Sequence, residues 1–274
     1  MTPTSSRTAD LPDYTVTHDA GSTTIYLLHG IYGAKEYWRY QTKRLVARGY
    51  RVIVWDAPGY GLSSLPEKFD FDTVADAGAR LIRATASERN VLFGHSMGGQ
   101  ITPRVLAKVR PMAKVSAIVI SATIGYFGNR TKEEQAEFVS RRSSLPPGVD
   151  SYTAQLAVVN SMFAPASAGE EVDLVRRVAS TTSPTTVQAA VRAVQQYPEA
   201  EAVAMIKAID VPALLVAGEL DQTGHPAGMR RVADMVPGAR LAIVPGSGHY
   251  PWAENPVDFN RHLDAFLDLN APAT

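Results

Sequence analysis

The chain has no cysteine among its 274 residues, which removes disulfide bridges, thiolate catalysis and thiolate metal ligands together. It also has no excess of charge of one sign, since Lys and Arg number 27 and Asp and Glu number 27. Without a net basic or acidic field, the composition does not favour nucleic acid or an anionic membrane as partner. We therefore expect a small-molecule partner, and the sequence leaves open whether the chain forms a homo-oligomer.

Long apolar runs are absent as well. The first ten residues contain no apolar stretch of the kind found in secretory signals, and no later run is long enough to cross a bilayer. These absences predict a protein with no membrane segment, located in the cytoplasm. The sequence also contains no glycine-rich dinucleotide motif and no cluster of metal ligands, so we expect neither a cofactor nor a metal.

What the sequence does contain is an alternation of strand-like and helix-like segments. Short apolar runs without polar alternation are typical of buried parallel strands, and the stretches between them have helical periodicity. Strands are predicted at Tyr14–Thr17, Thr23–Leu28, Arg51–Trp55, 91–93, 115–120, 213–217 and 241–244. Helices are predicted near 37–48, 73–86, 100–109, 229–235 and 257–267.

Residues 124–207 interrupt this alternation. The strand signal disappears there, and helical stretches are separated by breakers such as Pro146-Pro147-Gly148 and Pro184. We predict that this interval is a helical cap inserted into one α/β domain, which consists of residues 1–123 and 208–274.

The motif Gly94-His95-Ser96-Met97-Gly98 follows one of the predicted strands and precedes a helical stretch. Glycines on both sides of a serine allow the sharp strand-to-helix turn, the nucleophile elbow, that exposes the hydroxyl at the edge of a sheet. A serine hydroxyl is a weak nucleophile and needs a base, a group that orients the base, and donors for the oxyanion. Ser96 is the predicted nucleophile.

Candidate partners of Ser96 follow two later strands. Asp221 lies in the loop after the strand at 213–217, and His249 lies in the glycine-rich loop after the strand at 241–244. The chain order Ser, Asp, His is that of α/β-hydrolase triads. We predict that His249 is the base and that Asp221 orients it, with Glu219 as the alternative acid. Asp56, which also follows a strand, is interpreted as a turn-forming residue.

The oxyanion donors are predicted from the turns next to the elbow. His29-Gly30 follows the strand Thr23–Leu28, so the backbone N–H of Ile31 can face that of Met97 at the start of the helix behind Ser96. Two converging amides would stabilise the negative charge that develops on a carbonyl oxygen.

Together these segments resemble the α/β-hydrolase superfamily over nearly the whole chain. The resemblance is carried by His29-Gly30, residues 56–61, residues 94–99, residues 218–221, and Gly248-His249 with Glu254-Asn255-Pro256. It implies an α/β fold with a mostly parallel central sheet, flanking helices and an inserted helical cap. It also implies acyl transfer through an ester intermediate, because Ser96 stands where haloalkane dehalogenases and epoxide hydrolases have an aspartate nucleophile. Such a mechanism requires no cofactor.

The start of the predicted cap resembles 3-oxoadipate enol-lactonase-like hydrolases, through residues 122–128, 133–138 and Arg141-Arg142. This resemblance implies a serine hydrolase that cleaves an ester or lactone of a small organic acid. A substrate carboxylate in such a pocket would need a cation, for which Arg130, Arg141 and Arg142 are candidates. In the alternative interpretation these arginines face solvent and the substrate is a hydrophobic ester.

Further candidates for substrate contact are mostly aromatic. Tyr32 and Trp252 lie close in sequence to predicted site residues, whereas the others lie in the predicted cap and could equally belong to the core. The predicted substrate-binding residues are Tyr32, Tyr126, Phe127, Arg130, Met162 and Trp252.

The same triad is compatible with three other functions. A carbon–carbon bond hydrolase of the meta-cleavage type and a cofactor-free perhydrolase would use the same nucleophile with a different pocket. A non-enzymatic small-molecule receptor on this fold could also keep the triad. We predict the ester or lactone hydrolase.

Overall fold

The computed structural model describes residues 4–6, 11–17, 21–123, 131–143 and 148–273. The strands are β1 Thr4–Ser6, β2 Tyr14–Thr17, β3 Thr23–Leu28, β4 Arg51–Trp55, β5 Arg89–His95, β6 Val115–Ser121, β7 Ala213–Gly218 and β8 Arg240–Val244. A 3-10 helix at Lys35–Trp38 precedes the α-helices. These are α1 Arg39–Ala47, α2 Phe71–Thr85, α3 Met97–Val109, α4 Lys132–Ser143, α5 Ser151–Asn160, α6 Glu170–Ala179, α7 Pro184–Gln196, α8 Glu199–Lys207, α9 Pro226–Asp234, α10 Pro251–Glu254 and α11 Pro256–Asn270.

The eight strands form one sheet in the order β1-β2-β4-β3-β5-β6-β7-β8. Strands β3 to β8 are parallel, and β1 and β2 add an antiparallel edge. From β3 the chain runs outward to β4 and then returns to β5 on the other side. Sites in such sheets lie at the carboxyl ends of the strands where the strand order reverses, which here is between β3 and β5.

The predicted α/β fold with a mostly parallel sheet is confirmed. Strand β1 was not predicted, because its three residues have neither apolar character nor alternation, and only backbone pairing with β2 defines it. Helix α3 begins at Met97 rather than at residue 100, since Gly98 and Gly99 weaken the helical signal in its first turn.

Side-chain caps determine where several helices begin. Asp70 accepts a hydrogen bond from the Thr73 amide at the start of α2, and Asn255 accepts one from the Asp258 amide at the start of α11. Helix α11 packs on β6, β7 and β8, and α2 packs against α3, which itself contacts β5 and β6. The central strand β3 is buried along its whole length, so we expect the site at the strand ends.

Between β6 and β7, the described residues contain the five helices α4 to α8 and no strand. Helix α6 packs against α10 and the 3-10 helix, and α8 packs against α3, the helix behind the elbow. The division into a core domain, residues 1–123 and 208–274, and a cap, residues 124–207, stays a prediction. Within the described ranges, no helix has both the length and the apolar character needed to span a membrane.

Two glycines make the elbow possible by allowing close backbone approach. A Cβ on Gly98 would overlap the Leu28 carbonyl oxygen and would lie 2.9 Å from the His29 carbonyl oxygen. A Cβ on Gly94 would overlap the Gly98 carbonyl oxygen and the Thr102 hydroxyl. The first turn of α3 can therefore pack on the end of β3 only if these side chains are absent.

We expect Gly98→Ala to lower the free energy of unfolding by about 1–3 kcal/mol, because the backbone atoms that a methyl group would meet cannot move aside. Gly78→Ala is the matched control, since Gly78 is also helical and the nearest neighbours of its Cβ would be side-chain atoms, the Val105 methyl at 3.2 Å and the Trp55 ring, rather than backbone. Urea unfolding of both variants measures the difference. An equal change in the free energy of unfolding in Gly98→Ala and Gly78→Ala would contradict the packing argument.

Candidate active site

Ser96 occupies the strand-to-helix turn that the sequence predicted. It connects β5 to α3 with φ 54° and ψ −117°, a backbone conformation that non-glycine residues rarely adopt. Such strain costs on the order of 1–3 kcal/mol and persists only where surrounding contacts enforce it. Here the Ser96 amide donates to the Ser121 carbonyl at 2.9 Å, and the Ser96 carbonyl accepts from the Gln100 amide at 3.2 Å.

The three predicted triad side chains lie in one hydrogen-bonded line. The Nε2 atom of His249 is 3.0 Å from the Ser96 Oγ, and its Nδ1 atom is 2.9 Å from Asp221 Oδ2. Because the carboxylate can only accept, Nδ1 carries the proton and Nε2 is left to accept from the Ser96 hydroxyl. This is the arrangement in which an imidazole can act as a general base toward a serine.

Asp221 is fully buried, and its carboxylate is satisfied by three donors. Oδ1 accepts from the amides of Thr223 at 2.7 Å and Gly224 at 2.9 Å, while Oδ2 faces His249. A buried carboxylate held in this way can stabilise an imidazolium without moving. Glu219, the alternative acid, instead accepts from the Gly246 amide at 2.9 Å.

The peptide between Gly30 and Ile31 is oriented by contacts to its carbonyl. The Gly30 oxygen accepts from His29 Nδ1 at 2.8 Å and from the Gly33 amide at 3.0 Å. His29 Nε2 accepts from the Ala57 amide at 3.0 Å, so the imidazole proton is on Nδ1. Since a trans peptide is planar, the Ile31 N–H points away from these donors. Ile31 and Ser96 line the same cavity.

Met97 is the first residue of α3, and its position makes its amide available. The first intrahelical bond of α3 runs from the Gln100 amide to the Ser96 carbonyl. The amides before it, including that of Met97, have no acceptor within the helix, and the positive end of the helix dipole lies there. The geometry is compatible with the predicted donor pair of Ile31 and Met97, whose role stays a prediction.

A second buried hydrogen-bond chain runs behind the site. The Gly30 amide donates to the Tyr37 hydroxyl at 2.8 Å, and that hydroxyl lies 3.1 Å from His95 Nδ1. Because the His249 carbonyl can only accept, His95 carries its proton on Nε2 and donates it to that oxygen at 2.8 Å, so Nδ1 accepts from the Tyr37 hydroxyl. The chain connects the loop after β3 with the loop of the predicted base.

Burial determines the charge state of the groups in this chain. Desolvation holds the pKa of His95 well below its ordinary value, and it lowers the pKa of His29. Desolvation also raises the pKa of the Tyr37 hydroxyl well above its ordinary value. Both histidines and the tyrosine are therefore neutral near pH 7, as required by the two bonds in which an imidazole nitrogen accepts, from the Ala57 amide to His29 and from the Tyr37 hydroxyl to His95.

The cavity in front of Ser96 has a mixed lining of aromatic, aliphatic and hydroxyl side chains together with backbone. Its described lining residues are Gly30, Ile31, Tyr32, Gly33, Tyr37, His95, Ser96, Met162, Thr223, His249 and Tyr250. Tyr32 and Met162, two of the predicted substrate-binding residues, are thus part of this lining, and their role in binding stays a prediction. Tyr126, Phe127 and Arg130 lie outside the described residues, as do the side chains of Arg141 and Arg142.

The structure corrects the prediction for Trp252. This side chain is fully buried on α10 with its ring 4.8 Å from that of Trp38 and 5.0 Å from that of Tyr37, behind the described cavity wall. Its proximity to His249 in sequence was misleading, because α10 turns the chain back into the core. Tyr250, the direct neighbour of His249, lines the cavity instead.

Several lining residues were not among the predicted site residues, and Tyr37, Thr223 and Tyr250 contribute side chains. Tyr250 could have been found as the residue next to the base, and Thr223 as a residue close to Asp221. Tyr37 had no such signal, because it comes from the 3-10 helix after β3 and reaches the site only through the packing of that helix.

We expect the contribution of His29 and His95 to the free energy of unfolding to decrease as the pH falls below about 6.5, the ordinary pKa of histidine. In the folded state His29 and His95 stay neutral below that value, whereas the unfolded chain takes up their protons. Each contributes at most about 1.4 kcal/mol per pH unit. Urea unfolding at several pH values measures the slope. His95→Gln should reduce this slope relative to the unmodified protein, and equal slopes in the variant and the unmodified protein would refute the assignment.

Comparison with known proteins identifies the family of this chain. The sequence profile of the alpha/beta hydrolase family matches residues 25–262. Polyketide synthase ThaQ of Burkholderia thailandensis is 29% identical over 227 residues, which cover 82% of this chain but only 11% of that protein. Non-heme chloroperoxidase CPO-A1 of Kitasatospora aureofaciens is 28% identical over 253 residues, which cover 89% of this chain and 92% of the relative.

Solved structures share the fold. The esterase EaEST from Exiguobacterium antarcticum superimposes with a TM-score of 0.82 at 22% identity, covering 97% of this chain and 100% of the other. The enol-lactonase from Burkholderia xenovorans LB400 gives a TM-score of 0.73 at 19% identity, covering 93% and 95%. At these identities the structural likeness supports the fold alone. The profile match across most of the chain shows that the protein belongs to the alpha/beta hydrolase family.

Proposed function

We propose that this hydrolase cleaves carboxylic esters or lactones through an acyl-enzyme on Ser96. The observation that carries the proposal is the hydrogen-bonded line from Ser96 Oγ to His249 Nε2 and from His249 Nδ1 to Asp221. A base at 3.0 Å from a hydroxyl is within the range needed for general-base catalysis. The solved structures that share the fold include an esterase and an enol-lactonase, so the fold carries this reaction class in other proteins.

The reaction divides into two acyl transfers. Ser96 Oγ attacks the substrate carbonyl carbon while its proton moves to His249 Nε2, and the Ile31 and Met97 amides stabilise the resulting oxyanion. The tetrahedral intermediate then expels the alcohol oxygen, which takes the proton from His249. Water attacks the acyl-enzyme with His249 again accepting a proton, and Ser96 leaves with that proton as the free acid forms.

We further propose that residues 124–207 act as the cap that selects the substrate. Met162, in the loop between α5 and α6, lines the cavity beside Ser96, and its carbonyl accepts a hydrogen bond from the His249 amide at 2.9 Å. A segment that contacts both the cavity and the base is placed to influence which acyl groups fit.

Ser96→Ala and His249→Ala should each lower turnover of a short-chain p-nitrophenyl ester by at least about 1000-fold, and Asp221→Asn should also lower it strongly. Ser96 supplies the nucleophile, and without His249 its proton has no acceptor. Steady-state kinetics, with circular dichroism to verify folding, test this. Mass-spectrometric trapping of the acyl adduct on Ser96 identifies the intermediate.

Glu219→Gln is the matched control for Asp221→Asn, because Glu219 lies in the same loop but contacts Gly246 rather than His249. It should keep nearly full turnover. Turnover like that of the unmodified enzyme in Ser96→Ala or His249→Ala would eliminate the proposed mechanism, and a larger loss in Glu219→Gln than in Asp221→Asn would reassign the acid.

The described lining of the cavity favours a neutral acyl group over a carboxylate. Its side chains are those of tyrosine, isoleucine, methionine, threonine, serine and histidine. Burying an unpaired carboxylate among such groups would cost several kcal/mol. Arg130, Arg141 and Arg142 are the remaining candidates to pair with an anion, and we propose that they do not do so.

We expect the kcat/KM for a neutral methyl ester to exceed that for the matching carboxylate-bearing lactone or half-ester by about tenfold or more, which corresponds to about 1.4 kcal/mol. Alanine variants of Arg130, Arg141 and Arg142 should leave this ratio unchanged. A preference for the anion that disappears in one of the arginine variants would show that a cap arginine binds the substrate carboxylate.

Perhydrolysis is a second candidate, favoured by the similarity to chloroperoxidase CPO-A1. In that reaction hydrogen peroxide attacks the same acyl-enzyme in place of water. The acyl group is transferred from Ser96 to the peroxide, which releases a peracid and regenerates Ser96. Adding peroxide to the ester assay distinguishes the two by the peracid formed.

A further inference from the structure

The Glu254 carboxylate, at the end of α10, accepts four hydrogen bonds. Oε1 accepts from the Tyr250 amide at 2.8 Å, and Oε2 accepts from the Gly248 amide at 2.9 Å, the Ala164 amide at 2.8 Å and the Ser167 hydroxyl. Two of these donors flank His249 in sequence, and the other two belong to the predicted cap. One side chain therefore joins the loop of the base to the cap.

We propose that Glu254 is a positioning residue that couples cap residues 162–167 to the geometry of His249. The proposal rests on the proposed function, in which His249 is the base. The predicted acid and the nucleophile hold the imidazole of His249, whereas Glu254 holds the backbone on both sides of it.

The amide of His249 itself, between those of Gly248 and Tyr250, also bonds to the predicted cap. The His249 amide donates to the Met162 carbonyl at 2.9 Å, so three consecutive amides, at residues 248–250, bond either to Glu254 or to the cap itself. A Cβ on Gly248 would overlap the Met162 carbonyl oxygen and lie 2.7 Å from the Ala164 nitrogen. The two segments are in direct contact, so displacement of one must displace the other.

Only a carboxylate can accept all four bonds. An ionised carboxylate has two acceptor oxygens and no proton, whereas the glutamine amide has one acceptor oxygen and an NH2 group that would face at least one donor. A side chain that only capped α10 would need the Tyr250 contact alone. The three contacts of Oε2, all outside α10, are what connect the cap with the loop.

The expected consequence is a loss in kcat with little change in KM. If the peptides at 248 and 250 lose their anchor, the imidazole no longer keeps its distance of 3.0 Å from Ser96 Oγ, while the cavity walls that bind substrate are retained. A misplacement of about 1 Å at a reacting group can cost on the order of 100-fold in rate.

The test compares Glu254→Gln with Glu219→Gln, which removes a carboxylate that anchors the neighbouring Gly246 amide but none of residues 248–250. We expect Glu254→Gln to lower kcat by roughly 10- to 100-fold and to change KM by less than about threefold. Glu219→Gln should leave both nearly unchanged. Equal kcat in the two variants would overturn the proposal.

Amide hydrogen exchange of Glu254→Gln and Ser167→Ala gives a readout that does not depend on activity. Glu254→Gln should increase amide exchange at 248–250 and at 162–167 together, since one carboxylate holds both segments. Ser167→Ala, which removes only one donor in the predicted cap, should increase exchange mainly at 162–167. It should lower kcat less than Glu254→Gln does. Increased exchange in only one of the two segments in Glu254→Gln would overturn the coupling.

Ser96→Ala separates this proposal from the proposed function. If that variant kept full turnover, the acyl-enzyme mechanism would fail, whatever the exchange of Glu254→Gln showed. If Ser96→Ala were inactive and Glu254→Gln fully active, only the positioning role would fail.

Discussion

The hydrogen bond between Asp221 and His249 Nδ1 is the interaction on which the rest of the site depends. It places the imidazole proton on Nδ1, and only then can Nε2 accept the proton of Ser96. The bond is useful because Asp221 is buried and already holds two backbone amides, so the carboxylate cannot rotate away. Its geometry in turn depends on how the loop that carries His249 is anchored.

The anchoring comes from backbone contacts rather than from the triad. The His249 carbonyl accepts from His95, and its amide donates to Met162. Each contact comes from a different part of the chain: His95 ends β5 directly before Ser96, and Met162 belongs to the predicted cap. The position of His249, the proposed base, is thus set by the strand that precedes Ser96, the proposed nucleophile, and by the interval proposed to select the substrate.

Neutral buried histidines give these contacts their direction. His29 and His95 each donate through one ring nitrogen and accept through the other, which only the uncharged imidazole can do. One orients the peptide of Ile31, and the other connects the Tyr37 hydroxyl to the loop of the base. Desolvation lowers the pKa of both, so the burial that shapes the site also keeps its hydrogen-bond directions constant.

Local patterns in the sequence were sufficient for most of the fold. The apolar runs of β3 and β4 coincide with the observed strands, because a strand buried on both faces must be apolar throughout. The elbow was equally predictable, since close packing and a strained serine require glycine at fixed positions. Strand β1 was not predicted, because three polar residues show no periodicity and the strand is defined by its backbone pairing with β2.

By itself the sequence determined the strand order along the chain and the identity of Ser96, Asp221 and His249 as candidates, because each follows a strand whose carboxyl end must lie at one edge of a parallel sheet. Tertiary structure alone decided which side chains surround them. It turned Trp252 into the core, brought Tyr37 to the cavity wall and placed Glu254 between the cap and the base. Contacts of this kind join residues far apart in sequence, so their directions depend on the packing of whole elements and not on any local pattern.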